Sequence, residues 1–182
     1  MKKIILTSSI ILVGAWYIFR PINVPQTSVI VQVKQTMKLV SSALINEETI
    51  PRAFTCDGQG EHPPFSLSGV PEGTKSLAVI VDDPDAPAGT FNHWVIWNID
   101  PKATEIAAGQ IPVKSQEGTN SSGSIGYTPP CPPAGPSHRY FFTLYALDST
   151  IGLDGKAKKD ELVAAMSGHI IEQTNLIGNY GR

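Results

Sequence analysis

The chain has 182 residues, enough for one domain with a true core and too few for two of ordinary size. Lys plus Arg number 14 against 16 Asp plus Glu, for a formal net charge of −2, and no basic run extends beyond Lys156, Lys158 and Lys159, which argues against nucleic acid as a partner. Only 16% of the residues are charged while Gly and Pro number 16 and 15, a balance that suits short strands joined by tight turns better than a helical bundle.

The N-terminus carries Lys2 and Lys3, an apolar stretch from Ile4 to Phe19, and then Arg20-Pro21. As a helix the stretch would reach roughly 24 Å, short of a bilayer core but close to it with snorkelling Arg20 and flanking aromatics. It reads as an export signal. Trp16, Tyr17, Ile18 and Phe19 occupy the positions where small residues would mark a cleavage site, and no cysteine stands nearby for a lipid, so an uncleaved signal anchor over residues 1–20 is favoured over a cleaved peptide. The positive N-terminus would stay in the cytoplasm and place the rest of the chain outside it, in the periplasm or on the outer face of the inner membrane, anchored or secreted after cleavage. Residues 21–36, with Pro21 and Pro25 and no charged block, read as an extended linker that turns to strand near Ser28 to Lys34.

The folded domain is expected over residues 37–182, beginning at Met37-Lys38-Leu39-Val40-Ser41. Its core strands stand out as apolar runs at Ser76 to Val81, Trp94 to Ile99 and Tyr140 to Leu147, separated by clusters of Gly, Pro, Asn and Asp. One amphipathic helix is predicted near the end, about Lys158 to Glu172, where Leu162, Ala165, Met166, His169 and Ile170 recur at three- and four-residue steps. Asp154-Gly155 makes a turn before it and Gly178 a stop after it.

Two segments concentrate polar chemistry at strand ends. Asp82-Asp83-Pro84-Asp85-Ala86-Pro87 leads to Asn92-His93-Trp94, and Gly126-Tyr127-Thr128-Pro129-Pro130-Cys131-Pro132-Pro133 runs into His138-Arg139-Tyr140. Side chains alternate along a strand, so His138, Tyr140, Phe142 and Leu144 share one face while Arg139, Phe141, Thr143 and Tyr145 share the other. By the same parity Asp83 goes with Val79 and Val81, and His93 with Val95 and Trp97. Each polar group ends an otherwise apolar face, the ingredients of a small greasy pocket with a few converging donors. Asp82, Asp83 and Asp85 lack the Gly-turn and distal Glu of a calcium loop, so no metal is assigned, and nothing calls for a cofactor.

Together these segments resemble the signature of the phosphatidylethanolamine-binding protein family, which includes the Raf kinase inhibitor-like proteins, and specifically its bacterial branch; the likeness runs from about Met37 to the C-terminus. The resemblance implies a mainly β fold, a central antiparallel β-sandwich with a few peripheral helices including one near the C-terminus. It implies an anion pocket lined by Asp83, His93, His138 and Tyr140, with Pro132 and Pro133 on its rim. Two imidazoles and a phenol offer donors to phosphoryl oxygens, while Asp83 can fix a tautomer or receive an ammonium group. Asp85 and Arg139 read as a structural fork tying loop to strand. The chain departs from the family pattern at His62, where relatives usually carry Ser, and at Leu67, where Trp is common.

Two cysteines, Cys56 and Cys131, fall in these motif regions. An even count in an exported chain permits one disulfide, and small apolar packing accounts for such cysteines equally well. On function, the reading favours a non-enzymatic module that binds a phosphate-bearing or other anionic small molecule, a lipid head group among them, outside the cytoplasm. The alternative is an inhibitor or modulator of a partner protein of protease or kinase type, acting through surface contact. A hydrolase ranks last, because no Gly-x-Ser-x-Gly occurs and the nearby serines carry no triad signature. Whether the chain forms a homodimer stays open.

Overall fold

The computed structural model describes residues 36–182; the predicted anchor and linker strand lie outside the described residues. Eight strands form two antiparallel sheets. A small one joins β1 (Lys38–Val40), β2 (Phe65–Ser68) and β5 (Glu105–Ile106) in the order β1-β2-β5. A larger one joins β3 (Ser76–Asp83), β4 (Phe91–Ile99), β6 (Gln116–Glu117), β7 (His138–Leu147) and β8 (Ile170–Tyr180) in the order β6-β4-β3-β7-β8. One α-helix, α1 (Lys159–Met166), and a 3-10 turn at Arg52–Phe54 complete the secondary structure of the described residues.

The three apolar runs of the sequence are the three central strands of the larger sheet, and burial on both faces explains their lack of alternation. Leu77, Val79 and Val81 of β3, with Trp94, Ile96, Tyr140, Phe142 and Leu144, pack against Leu39, Phe65 and Leu67 of the small sheet. On the opposite face Ala78, Ile80, Val95 and Trp97 meet Leu162 and Met166 of α1. Asp160 and Glu161 in the first turn suit the positive end of α1, and Glu161 also accepts the Lys158 backbone N–H at 2.8 Å.

The chain ends differently from the sequence-based expectation. The helix stops at Met166: Ser167 leaves helical geometry, Gly168 takes φ +81°, and the next residues are β8, a full partner of β7 from Ile170 opposite Leu147 to Tyr180 opposite His138. The helical repeat of Leu162, Ala165 and Met166 is real, but its extension through His169 and Ile170 is coincidence. His169 is exposed and its Nδ1 lies 2.7 Å from Asp148 Oδ1. Gly178 is a strand residue, not a stop. It leaves room for Ile50, whose Cγ1 would stand 2.5 Å from a Cβ there.

Candidate functional site

The inner face of the larger sheet ends in polar groups where β3, β4 and β7 emerge, and there the structure brings together all four residues singled out in the sequence. Asp83, His93, His138 and Tyr140 line one cavity of about 190 Å3, walled by Phe91, Ala86, Pro87 and the segment from Thr128 to Pro133. All four are buried. Pro132 and Pro133 form part of the wall, as the resemblance implies.

Asp83 ends β3 on the same face as Val79 and Val81, as parity requires. Its Oδ2 lies 2.7 Å from Nδ1 of His138, and its Oδ1 accepts the backbone N–H of Asp85 at 2.8 Å. A carboxylate only accepts, so Nδ1 of His138 carries the proton and Nε2 is the nitrogen left to the cavity.

His93 reaches the pocket by a route that simple alternation misses. Val81 pairs with Trp94 and Asp82 with Asn92, so β4 spends one more residue than β3 and His93 is the extra one. This β-bulge turns His93 away from Val95 and Trp97 and sets it edge-on to Tyr140, ring centroids 5.2 Å apart. The bulge is clamped by Asn92, whose amide nitrogen sits 3.1 Å from each of the Val81 carbonyl, the Trp94 carbonyl and Asp82 Oδ1. Sequence reasoning gave Asn92 no role; an Asn before a His at a strand start is a signal only once the bulge is known. Nδ1 of His93 donates to the Thr128 carbonyl at 2.7 Å, a second contact with no side-chain signature in the sequence. Burial pushes the His93 imidazole below its ordinary 6.5, against the pull of the Thr128 carbonyl and the charges of Asp83 and Asp82.

Tyr140 completes the set. Its hydroxyl is buried with no partner at full hydrogen-bonding geometry; burial, then the charge of Asp83 and a weak hydrogen bond toward it, hold its pKa above the ordinary phenol value, so it stays an O–H donor. The cavity therefore presents Nε2 of two oriented imidazoles and one phenol O–H, none committed to the fold. Against them stands an apolar wall that excludes water and strengthens any polar contact made inside.

Asp85 and Arg139 stay outside the cavity. Arg139 Nε and Nη2 meet the two Asp85 oxygens at 2.9 and 2.8 Å, and the Arg139 backbone N–H adds a third bond at 2.9 Å. The guanidinium beside Asp85 holds its carboxyl well below the usual carboxylate range. The fork ties the loop after β3 to the start of β7. His62 is likewise outside: it is buried, stacked on Trp94 at 4.7 Å, with its ring nitrogens facing the carbonyls of Pro63 and Gln110. Leu67 is buried in β2 within the main core.

The two cysteines are bonded. The Cys56–Cys131 disulfide spans 75 positions and ties the loop after the 3-10 turn to the proline-rich wall. Cys131 itself faces the cavity.

This fold and these motifs have counterparts among known proteins. The sequence profile described as phosphatidylethanolamine-binding protein matches residues 40–181. The chain belongs to the phosphatidylethanolamine-binding protein family. A UPF0098 protein of Methanothermobacter thermautotrophicus is 47% identical over 151 residues, covering 80% of this chain and 99% of the relative. Among solved structures, a putative phosphatidylethanolamine-binding protein homologue of Chlamydia trachomatis, CT736, superposes with a TM-score of 0.78 at 40% identity, covering 81% of this chain and 99% of that one. YbcL of E. coli, described as a new member of the mammalian family, gives 0.76 at 28% identity, covering 80% and 98%. The family fold is thus the one described above, with the pocket residues at the ends of its three central strands.

Proposed function

We propose that the protein is a non-enzymatic binder that holds a phosphoryl or other anionic head group of a small molecule in this pocket, outside the cytoplasm. The observation that carries the reading is the shared arrangement of the two histidines. Each commits Nδ1 to a fixed protein oxygen and leaves Nε2 to the same small cavity, where the Tyr140 hydroxyl also lacks a partner. An oxygen-rich anion entering there meets the Tyr140 O–H and two fixed imidazoles, each of which donates from Nε2 once it takes up a second proton. Asp83 fixes the tautomer of His138 and carries the opposite charge that an ammonium group on the same ligand would seek.

A cavity of about 190 Å3 suits a head group better than a whole lipid or a folded partner. The disulfide supports a compartment that permits one, and the Lys2-Lys3 and apolar N-terminal pattern supports export. Catalysis ranks below binding in this reading because the sequence carries no Gly-x-Ser-x-Gly and no triad signature.

The test is a titration of 15N-labelled protein with O-phosphoethanolamine, followed at the histidine ring nitrogens. Saturable shifts of Nε2 in His93 and His138, with Nδ1 nearly still, are the expected result. Shifts confined to the exposed His169, or none, would discard the pocket and move the weight to surface contact with a partner protein.

A further inference from the structure

The proline-rich wall of the pocket is held by unusually few bonds. Pro129, Pro130, Pro132 and Pro133 have no backbone N–H to donate, so this stretch cannot be tied down as a strand or turn normally is. Before it, Thr128 is fixed to His93 by its N–H and its carbonyl; after it, the Gly135 N–H reaches the Arg182 carbonyl at 3.3 Å. Between them the wall has one backbone hydrogen bond, Cys56 N–H to the Pro130 carbonyl at 3.0 Å, and one covalent tether, the Cys56–Cys131 disulfide.

That disulfide is placed for exchange. Both cysteines are exposed, and neither belongs to a strand or to α1. The Arg182 guanidinium lies over the pair, Nη1 at 3.2 Å from Cys131 Sγ and 3.8 Å from Cys56 Sγ. A buried structural bridge is shielded from thiols; an exposed one beside a cation offers access and a stabilised leaving thiolate.

We propose that the Cys56–Cys131 disulfide is a redox-operated latch on the pocket wall: reduction by a dithiol frees the segment from Pro129 to Pro133 while the two sheets stay folded. A thiolate of the reductant attacks Cys56 Sγ, the protein S–S bond breaks, and Cys131 leaves as a thiolate under Arg182. The second thiol of the reductant then attacks its own sulfur in the mixed disulfide, releases Cys56 as a thiolate and closes the oxidised reductant. Two electrons pass from the dithiol to the protein, and the two protons of the dithiol end on the cysteines or in solvent. Freeing the wall removes its preorganisation, and negative charge on Cys131 repels an anion, so head-group affinity falls by roughly tenfold. This last consequence rests on the anion-pocket reading; the latch itself does not.

The experiment is hydrogen exchange on the full chain, oxidised and after dithiothreitol, with O-phosphoethanolamine affinity measured on the same samples and again after reoxidation. The latch predicts faster exchange of the Cys56 amide on reduction, unchanged protection in β3 and β7, and a roughly tenfold affinity loss that reoxidation reverses. Arg182→Ala is expected to slow reduction several-fold without altering affinity in the oxidised state. Equal exchange in both redox states, loss of protection throughout β3 and β7, or a loosened wall with unchanged affinity would each overturn the proposal. Failure of the oxidised protein to bind the probe would refute the anion reading alone, while the amide exchange still decides the latch.

Discussion

Of two hollows along the larger sheet that differ in size, the bigger is the poorer candidate for a site. A groove of about 430 Å3 runs past Thr90, Thr119, Ser121, Lys158 and Lys159 at the start of α1, more than twice the volume of the 190 Å3 pocket at the other face. Several of its polar groups are already employed by the fold. Lys159 Nζ is bonded to Asp82 at 2.7 Å, Ser121 Oγ accepts the Asn92 N–H, and the Thr119 hydroxyl donates to the Lys156 carbonyl. In the smaller pocket each histidine uses one nitrogen for its own orientation and keeps the other free, and the tyrosine hydroxyl is unspent. What marks a site here is buried capacity left over after the fold is satisfied, not volume.

The largest test of that contrast removes one member from each hollow. His138→Ala should weaken O-phosphoethanolamine binding by about 30-fold or more, the loss of a charge-assisted hydrogen bond of roughly 2 kcal/mol, whereas Lys159→Ala should leave it within about twofold in the same titration. Next comes the clamp between the two hollows. Asn92→Ala frees the bulge, should lower stability by about 2 kcal/mol in urea melts, and should weaken binding although Asn92 does not line the pocket.

Gly178→Ala probes the strand that the sequence concealed. A Cβ there meets Ile50, so a stability loss of about 1–3 kcal/mol is expected in urea melts. A smaller effect separates empty and filled pockets by pH. Burial places the folded-state pKa of His93 below its ordinary 6.5, so the unfolded chain takes the proton first as pH falls. Its contribution to the stability of the empty protein is therefore lost as pH drops from about 6.5 toward the lower folded-state value, and His93→Gln flattens that slope in pH-dependent melts. Anion affinity should run the opposite way and rise on acidification. Smallest of all, Arg139→Ala should leave the melting midpoint nearly unchanged, because its ion pair with Asp85 is open to solvent and screened, and raising salt should mask even that small effect.

Legibility in the sequence follows the same division. The runs from Ser76, Trp94 and Tyr140 are strands buried on both faces, and uninterrupted apolar residues announce them. β8 buries its inner side with Leu176, Gly178 and Tyr180 beside half-buried Glu172 and Thr174, so it lacks both an apolar run and a clean alternation, and the helical spacing of α1 continues by coincidence into its first residue. β5 and β6 are two residues each and carry no pattern to find. The pocket residues could be named from the motifs, and strand parity places Asp83, His138 and Tyr140 correctly. His93 could not be placed by parity, because a bulge is a property of two paired strands and not of one. The carbonyl of Thr128 and the orphaned Tyr140 hydroxyl are invisible for the same reason: backbone acceptors and missing partners exist only in three dimensions.

The measurement that bears most directly on the pocket is a calorimetric titration with O-phosphoethanolamine at pH 6 and pH 8, run on the intact protein and on His138→Ala. The account predicts saturable heat at pH 6, weaker binding at pH 8, and binding weakened by about 30-fold or more in the variant. Heat of equal size in the variant, or affinity that rises from pH 6 to pH 8, would contradict it.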